Sequence, residues 1–567
     1  LDKKTIIKTL EKIALYMELQ GENPFKVSAF RKAAQVIELD SRSLSEMDNI
    51  LSLKGIGAAT GAVIEDLMNK GESSFLIELQ NSVPSGLLPM LKIPGLGGKK
   101  IAKLYKELQI DSIEALKEAC ESHKVQKLPG FAAKTEVKIL AELENFQVKP
   151  ERSAVWLLEP IVEIINEKLS HITAIEKFSV AGSYRRVKEA SKDIDFIIAT
   201  EYPIEVREEI LKVLPVLKVI AAGDTKVSIT LDVENEVDVD FRLVNIDQFA
   251  SALNHFTGLK DHNIKMRQIA KDQGKKISEY GVELEDGTVQ HFKTEEEFYA
   301  FFDLPFIPPT VREDGSEFTK LDQLSRLVKL EDIKADLHMH TTWSDGAYSI
   351  EEMVEACRTK GYSHLVITDH SDYLKVANGL TKERLLHQIE TIHEINEKYT
   401  DIEIFTGTEM DILPDGSLDF DEDVLKQLDF VIASIHSSFS QPEEKIMERL
   451  FNAIKNPFVH MIAHPTGRII ETRNGYNPDV PTLIEWAKEY GKILELNASP
   501  YRLDLKTEYL RIAKELGVPI AINTDAHHII QLKYMDLGVR YAQKAWLSKD
   551  EIVNTWSLDM FKQFITK

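Results

Sequence analysis

The sequence predicts a multi-domain chain of mixed α+β and α/β class: helical hairpins first, then a mixed helix–strand unit, then a β/α barrel. Three observations predict it. At 567 residues the chain exceeds what one hydrophobic core usually serves. A glycine-punctuated helical hairpin recurs within the first 150 residues. From 335 onward short apolar runs alternate with helical ones, the signature of parallel β/α units.

Composition narrows the classes. Hydrophobic residues make up 43% and charged residues 28%, ordinary for a globular chain. No apolar run reaches the roughly 18 residues of a membrane span. The opening "LDKKTIIKTLEKIALYMEL" is an amphipathic helix pattern without the apolar core of a signal peptide. Two distant cysteines, Cys120 and Cys357, fit a reducing cytosol and no disulfide framework. The net charge of −23 is uneven: residues 1–150 hold 21 Lys+Arg against 20 Asp+Glu, so the remainder holds 48 against 72. Local patches decide binding, so the total does not exclude DNA, and the acidic part is suited to cations.

Within the helical part, "LKGIGAATGAVIEDLM" (53–68) places a glycine turn before a new helix. It returns as "LKIPGLGGKKIAKLYKEL" (91–108) and, more loosely, as "LPGFAAKTEVKILAEL" (128–143). Gly55 and Gly57, or Gly95 and Gly97, let backbone N–H groups turn outward at a helix start and cradle a phosphate oxygen. Such a contact positions a DNA backbone and reads no base. One hairpin is a plain turn; two good copies and a worn third indicate sequence-independent DNA binding.

From about 150 strands enter. In "KDIDF", Asp193 and Asp195 lie two apart on a predicted strand, so their side chains leave one face with Cα atoms roughly 6.6 Å apart. "VDVDFRL" offers Asp238 and Asp240 in the same way. Carboxylates at 4 Å repel by about 1 kcal/mol in water and about 4 at an effective dielectric of 20. Divalent metal relieves that repulsion, and oxygen-only donors favour Mg²⁺, here as two ions. Upstream, "AGSYRR" supplies a tight turn at Gly182, the Ser183 hydroxyl and the planar donors of Arg186 for phosphate oxygens. A lone D-x-D marks a strand edge; with these donors ahead and a third aspartate behind, it points to in-line displacement at phosphorus.

In the last part, His338 and His340 of "DLHMH" share a strand face. Acid or imidazole groups then recur at predicted strand ends: Asp345, His370, Glu409, His436, His464, Asp525 and His527. Barrel strands deliver their C-terminal residues to one rim. His364, His387, His393, His460 and His528 read as structural or solvent-facing. Nine mixed ligands suit two or three ions of Mn²⁺, Zn²⁺ or Fe²⁺ rather than Mg²⁺, and such ions generate a nucleophile from water near neutral pH.

"GSYRR…DIDF", "VDVDFRL", "HFTGLKDHNIKMR" and "ISEYGV" closely resemble family X DNA polymerases such as DNA polymerase beta, over about residues 1–315. The resemblance implies a lyase-like helical DNA-binding domain at 1–80, a helix-hairpin-helix fingers-type domain at 81–148, a nucleotidyltransferase palm at 149–246 and a thumb-type domain at 247–315. It implies that Asp193, Asp195 and Asp240 hold catalytic metals; Asp240, directly before "FRL", matches better than Asp238. Ser183 and Arg186 would hold the triphosphate, with Arg152 a weaker candidate. His255 and Phe256 would flank the sugar, and Asn263 and Arg267 would reach the minor-groove edge of the nascent pair. Two departures matter. The sugar-flanking tyrosine is His255 here. The lyase lysine is replaced by Val63, so Lys26 and Arg31 are expected to bind the 5′-phosphate of a gap without conventional lyase chemistry.

The nine-ligand series resembles the polymerase and histidinol phosphatase (PHP) family over 335–567, a distorted β/α barrel, with 316–334 expected as linker. Together the two halves resemble bacterial PolX proteins. That implies a cytoplasmic, nucleoid-associated monomer, with no membrane association, acting on gapped or primer-template DNA with dNTPs. Synthesis would lie in the palm and Mn²⁺-dependent 3′→5′ exonuclease, with end-trimming and abasic-site incision, in the barrel. The alternative is a template-independent nucleotidyltransferase joined to a small-molecule phosphatase, and a third is a DNA-tethering scaffold with vestigial sites.

Overall fold

The computed structural model describes residues 3–40, 49–91, 93, 95–144, 152–233 and 236–566. Its N-terminal part is helical because apolar residues recur at helical spacing. In α1 (Lys3–Leu19) Ile6, Leu10, Ile13 and Met17 form one buried stripe. It packs on α2 (Pro24–Leu39), which Asn23 caps and Pro24 opens. The three hairpins follow, opening α3 (Ala58–Lys70), α4 (Gly98–Leu108) and α5 (Ala133–Glu144). Gly55, Gly95 and Gly130 stand at φ +120°, +89° and +92°, where a side chain is disfavoured. A single apolar cluster running from Ile6 to Leu143 holds all three together.

The central sheet has the order β1-β2-β5-β4-β3, from β1 (Lys177–Val180), β2 (Asp193–Ala199), β3 (Val216–Ala222), β4 (Lys226–Leu231) and β5 (Val237–Val244). β2 and β5 run parallel in the middle, with Asp193 opposite Asp238 and Asp195 opposite Asp240. Beyond it lie α6 (Phe249–Thr257), α7 (Lys260–Asp272) and a small three-stranded antiparallel sheet.

Residues 316–334, expected as linker, connect the small antiparallel sheet to the barrel and are partly buried. They form three 3₁₀ turns whose Leu324, Leu327 and Val328 are buried, and Gln543 donates to the Val328 carbonyl at 2.8 Å. Short 3₁₀ turns carry no long periodicity to read in a sequence.

Seven parallel strands then succeed one another in chain order: β6 (Ala335–Asp336), β7 (His364–Ile367), β8 (Glu403–Asp411), β9 (Phe430–Ser434), β10 (Met461–Ile462), β11 (Ile493–Asn497) and β12 (Ile520–Asn523). Regular pairing of β6 stops at Asp336, before the histidines. A parallel bridge between Met339 and Ala526 joins first strand to last, with the His340 N–H donating to the Ala526 carbonyl at 2.8 Å. The barrel is therefore nearly closed at its C-terminal rim. Phe561 fills the other end against Phe405, Phe430 and His364, and His460 stacks on Phe430, which accounts for both histidines as structural.

Barrel and central sheet are joined. Arg468 forks onto Glu189 through two bonds of 3.0 and 2.9 Å, and Tyr541 donates to the same carboxylate. Trp156 donates to the Ile470 carbonyl at 3.1 Å and stacks on Tyr501.

Candidate active sites

The first site grows from the register of β2 and β5. Alternation puts Asp193, Asp195 and Asp240 on one face of neighbouring strands. Burial, with the charges of Asp193 and Asp240, pushes the Asp195 carboxyl up to about 7, and burial with Asp240 raises Asp193. Asp240 accepts from Ser228 at 2.6 Å and pairs with Lys226 at 2.8 Å. Asp238 is exposed and accepts from Thr230. A face of half-buried carboxylates, on which Asp193 and Asp195 are raised by their neighbours' charge, fits Mg²⁺ by its all-oxygen donors.

The turn ahead touches these groups directly. Gly182 stands at φ +63°, and a Cβ there would lie 2.1 Å from Asp195 Oδ2. Ser183 donates to Ser191 at 2.8 Å. Arg186 is buried; it donates to the Thr257 carbonyl at 2.6 Å, while its Nε, though buried, has no hydrogen-bond partner. Arg152 is exposed, one residue before the Ser153–Ala154 strand that pairs with Ala190–Ser191. His255 packs edge-on to Phe256, whose ring carries the Arg242 guanidinium at 4.6 Å. Asn263 donates to the His255 carbonyl at 2.8 Å, and Arg267 is exposed. Among the hairpins, a Cβ at Gly57, Gly95 or Gly97 would meet nothing within 4 Å, so these turns front open space; Gly55 abuts Val36. Lys26 and Arg31 are exposed and pair with Glu22 and Glu18. Val63 is buried in the apolar cluster.

The second site lies at the barrel rim. Three groups each bring ligand atoms within 4.8 Å of one another: His340, Asp345, His370 and His527; His338, His340, Glu409 and Asp525; and His370, Glu409 and His436. His464 joins them, its Nε2 2.8 Å from Glu409 Oε1. The structure thus gathers all nine residues that the strand ends suggest. Five imidazoles surround one carboxylate. Glu409 Oε2 lies 3.2 Å from His338 and from His370 and 3.3 Å from His340, and Oε1 lies 3.1 Å from His436. His340 Nδ1, His370 Nδ1, His464 Nδ1 and Glu409 Oε2 are buried without hydrogen-bond partners. His338 and His340 aim their Nε2 atoms at each other across 3.3 Å. Buried lone pairs left facing one another are costly unless cations occupy the space, and the mixed donor set fits Mn²⁺, Zn²⁺ or Fe²⁺. Burial pushes His370 down to about 3, whereas His340, against its own burial, is pushed up to about 9 by hydrogen bonds to Asp525 and Glu409.

Four supporting residues escape the sequence reading. Glu495 accepts from His338 Nδ1 at 2.7 Å and from the His464 backbone, and Asp411 holds His436 Nδ1 at 3.0 Å; such partners fix ring orientation. Asp411 lies two residues after Glu409 on one strand face, a spacing that could have revealed it. Arg502, its Nε 3.9 Å from Asp525 Oδ2, and Arg473, over the Phe439 ring, come from loops with no such pattern.

Residues 252–313 match the DNA polymerase beta thumb family and 336–499 the PHP domain family. Residues 2–73 and 87–145 match two helix-hairpin-helix families. The chain is 56% identical, over all of its length and 99% of the relative's, to "DNA polymerase/3'-5' exonuclease PolX" of Bacillus subtilis. The chain belongs to the bacterial PolX family. It is also 34% identical to a "Probable phosphatase" of Caldanaerobacter subterraneus, over 41% of this chain and 90% of that one, and 33% identical to one of Thermoanaerobacter, over 39% of this chain and 89% of that one. PolX membership accounts for a carboxylate centre and an imidazole-rich centre on one chain. No helix among the described residues is long and apolar enough to cross a membrane.

Proposed function

We propose that the chain is a DNA-directed DNA polymerase that fills short gaps, with a metal-dependent 3′→5′ exonuclease in its barrel. The full-length likeness to a relative named for both activities carries the reading, and the two separate centres support it. Bound divalent cations would supply charge neutralisation at the palm and activation of water at the barrel rim. Asp193, Asp195 and Asp240 would hold the palm ions, with Gly182, Ser183 and Arg186 setting the triphosphate against them. His338, His340, Asp345, His370, Glu409, His436, His464, Asp525 and His527 would hold the rim ions. Arg473 and Arg502, cations beside the rim, would orient the phosphodiester under attack. The glycine turns would track the DNA backbone, and Lys26 and Arg31 would exchange Glu22 and Glu18 for a 5′-phosphate, the exposed Lys26–Glu22 pair being worth little in water.

The test uses a labelled one-nucleotide-gapped duplex, with and without dNTPs, in Mg²⁺ and in Mn²⁺. Extension with dNTPs and shortening without them are expected. Asp193→Ala should abolish extension and spare shortening, and His340→Ala the reverse. Loss of both activities in either folded variant would overturn the assignment of two centres.

A further inference from the structure

Three domains meet at one carboxylate behind the nucleotide site. α8 (Tyr534–Lys544), a helix of the barrel half, ends on Lys544, whose ammonium pairs with Glu313 Oε1 and donates to the Arg186 carbonyl at 3.2 Å. Lys188, from the palm, takes the other oxygen, Oε2, at 3.3 Å. The Arg186 guanidinium, by contrast, stands off: its Nε is 3.9 Å from Glu313 Oε1 and makes no hydrogen bond. Three cations thus compete for one carboxylate, and the two lysines hold it. Despite burial, Lys544 and Lys188 keep the Glu313 carboxyl down to about 2, so it stays anionic. Arg186 also feels the attraction of Asp195 on the catalytic face.

Resting on the polymerase reading above, we propose that Lys544 is a positioning residue for the palm: by occupying Glu313 it keeps the Arg186 guanidinium, held at one end by the Thr257 carbonyl, from closing onto that carboxylate, and leaves its Nε unbonded for the triphosphate. Physical chemistry gives the alternative arrangement. A carboxylate and a guanidinium left together close into a forked pair, stronger than the open contact seen here. Without Lys544, Glu313 loses a partner and its anchor to the Arg186 backbone, and the guanidinium is drawn back from the incoming phosphates. The barrel would then influence nucleotide affinity through one side chain that touches neither DNA nor metal.

The test measures KM and kcat for dNTP on the gapped duplex in Mg²⁺, with exonuclease on single-stranded DNA in Mn²⁺ as a control for the barrel. For Lys544→Met, KM should rise about tenfold, equivalent to about 1.4 kcal/mol, with kcat within about threefold and exonuclease unchanged. Lys544→Arg, which keeps the cation, should resemble the parent. The double variant Lys544→Met/Glu313→Gln should recover most of the lost affinity, and Glu313→Gln alone should leave KM unchanged or lower. A merely structural knot predicts the opposite, with the double variant worse than either single one. An unchanged KM in Lys544→Met, a double variant weaker than the single, or a raised KM in Glu313→Gln would overturn the proposal. Failure of the parent protein to incorporate dNTP would instead overturn the polymerase reading.

Discussion

Replacing Gly182 with alanine isolates the contact between the phosphate-binding turn and the metal face. A Cβ built there lies 2.1 Å from Asp195 Oδ2, whereas real Cβ contacts essentially never fall below 3.0 Å. The turn and the carboxylate must therefore separate by about 0.9 Å, the difference between those two distances. The φ of +63° adds roughly 1–2 kcal/mol of left-handed strain for an L side chain. A misplacement of about 1 Å in a reacting assembly costs on the order of 10²-fold in rate. Gly182→Ala should thus incorporate a single nucleotide into gapped DNA about a hundredfold more slowly under single-turnover conditions. Digestion of single-stranded DNA should remain at the parent rate, because nothing in the barrel rim depends on this turn. Incorporation within about threefold of the parent would show that the turn and Asp195 do not act as a unit.

Three further outcomes follow from the same geometry. The Asp195 carboxyl at about 7, against 3.8 in an unstructured chain, means that metal-free folded protein keeps a proton which the unfolded chain gives up first. Metal-free stability should therefore fall as pH rises from about 4 to 7, and Mg²⁺ should raise Tm more at pH 8 than at pH 6; Asp195→Asn should flatten that difference, and a pH-independent Mg²⁺ shift in the parent would contradict it. Glu495→Gln, which loosens the orientation of His338, should weaken barrel metal affinity by about 10–100-fold in a chelator competition, with polymerase activity as the unaffected comparison. No borohydride-trapped adduct with abasic DNA should form through residues 3–80, and Val63→Lys should lower Tm without creating one, because it would bury an ammonium in the helical core; a trapped peptide there would refute this.

What a sequence discloses depends on whether position is set by periodicity or by tertiary contact. The rim ligands were legible because parallel strands carry their C-terminal residues to one end, so that "TDH", "GTEMD" and "TDAH" converge without further information. The D-x-D pair was legible from strand alternation alone. The pairing of Asp240 with Lys226 was not, since it depends on how β4 lies against β5. Glu495 stayed hidden although it sits two residues before Asn497 on an inward face, because its role arises only from contact with His338, 157 residues away along the chain. In residues 316–334 the sequence shows a connector but not its packing: Leu324 and Leu327 share an apolar cluster with Trp546, and Val328 joins the main core, contacts that no local pattern announces.

The forked bond between Arg468 and Glu189 has a bearing on how a mismatched terminus would be corrected. Glu189 lies four positions before Asp193, and Arg468 four positions after His464, so this half-buried link ties the backbone beside one centre to the backbone beside the other. Swinging one centre toward the other would mean breaking it, together with the Trp156–Tyr501 stack. If these contacts hold the two centres in place, it is the nucleic acid that travels, fraying from its template and crossing between them, and the cost of unpairing a terminus decides which one it visits.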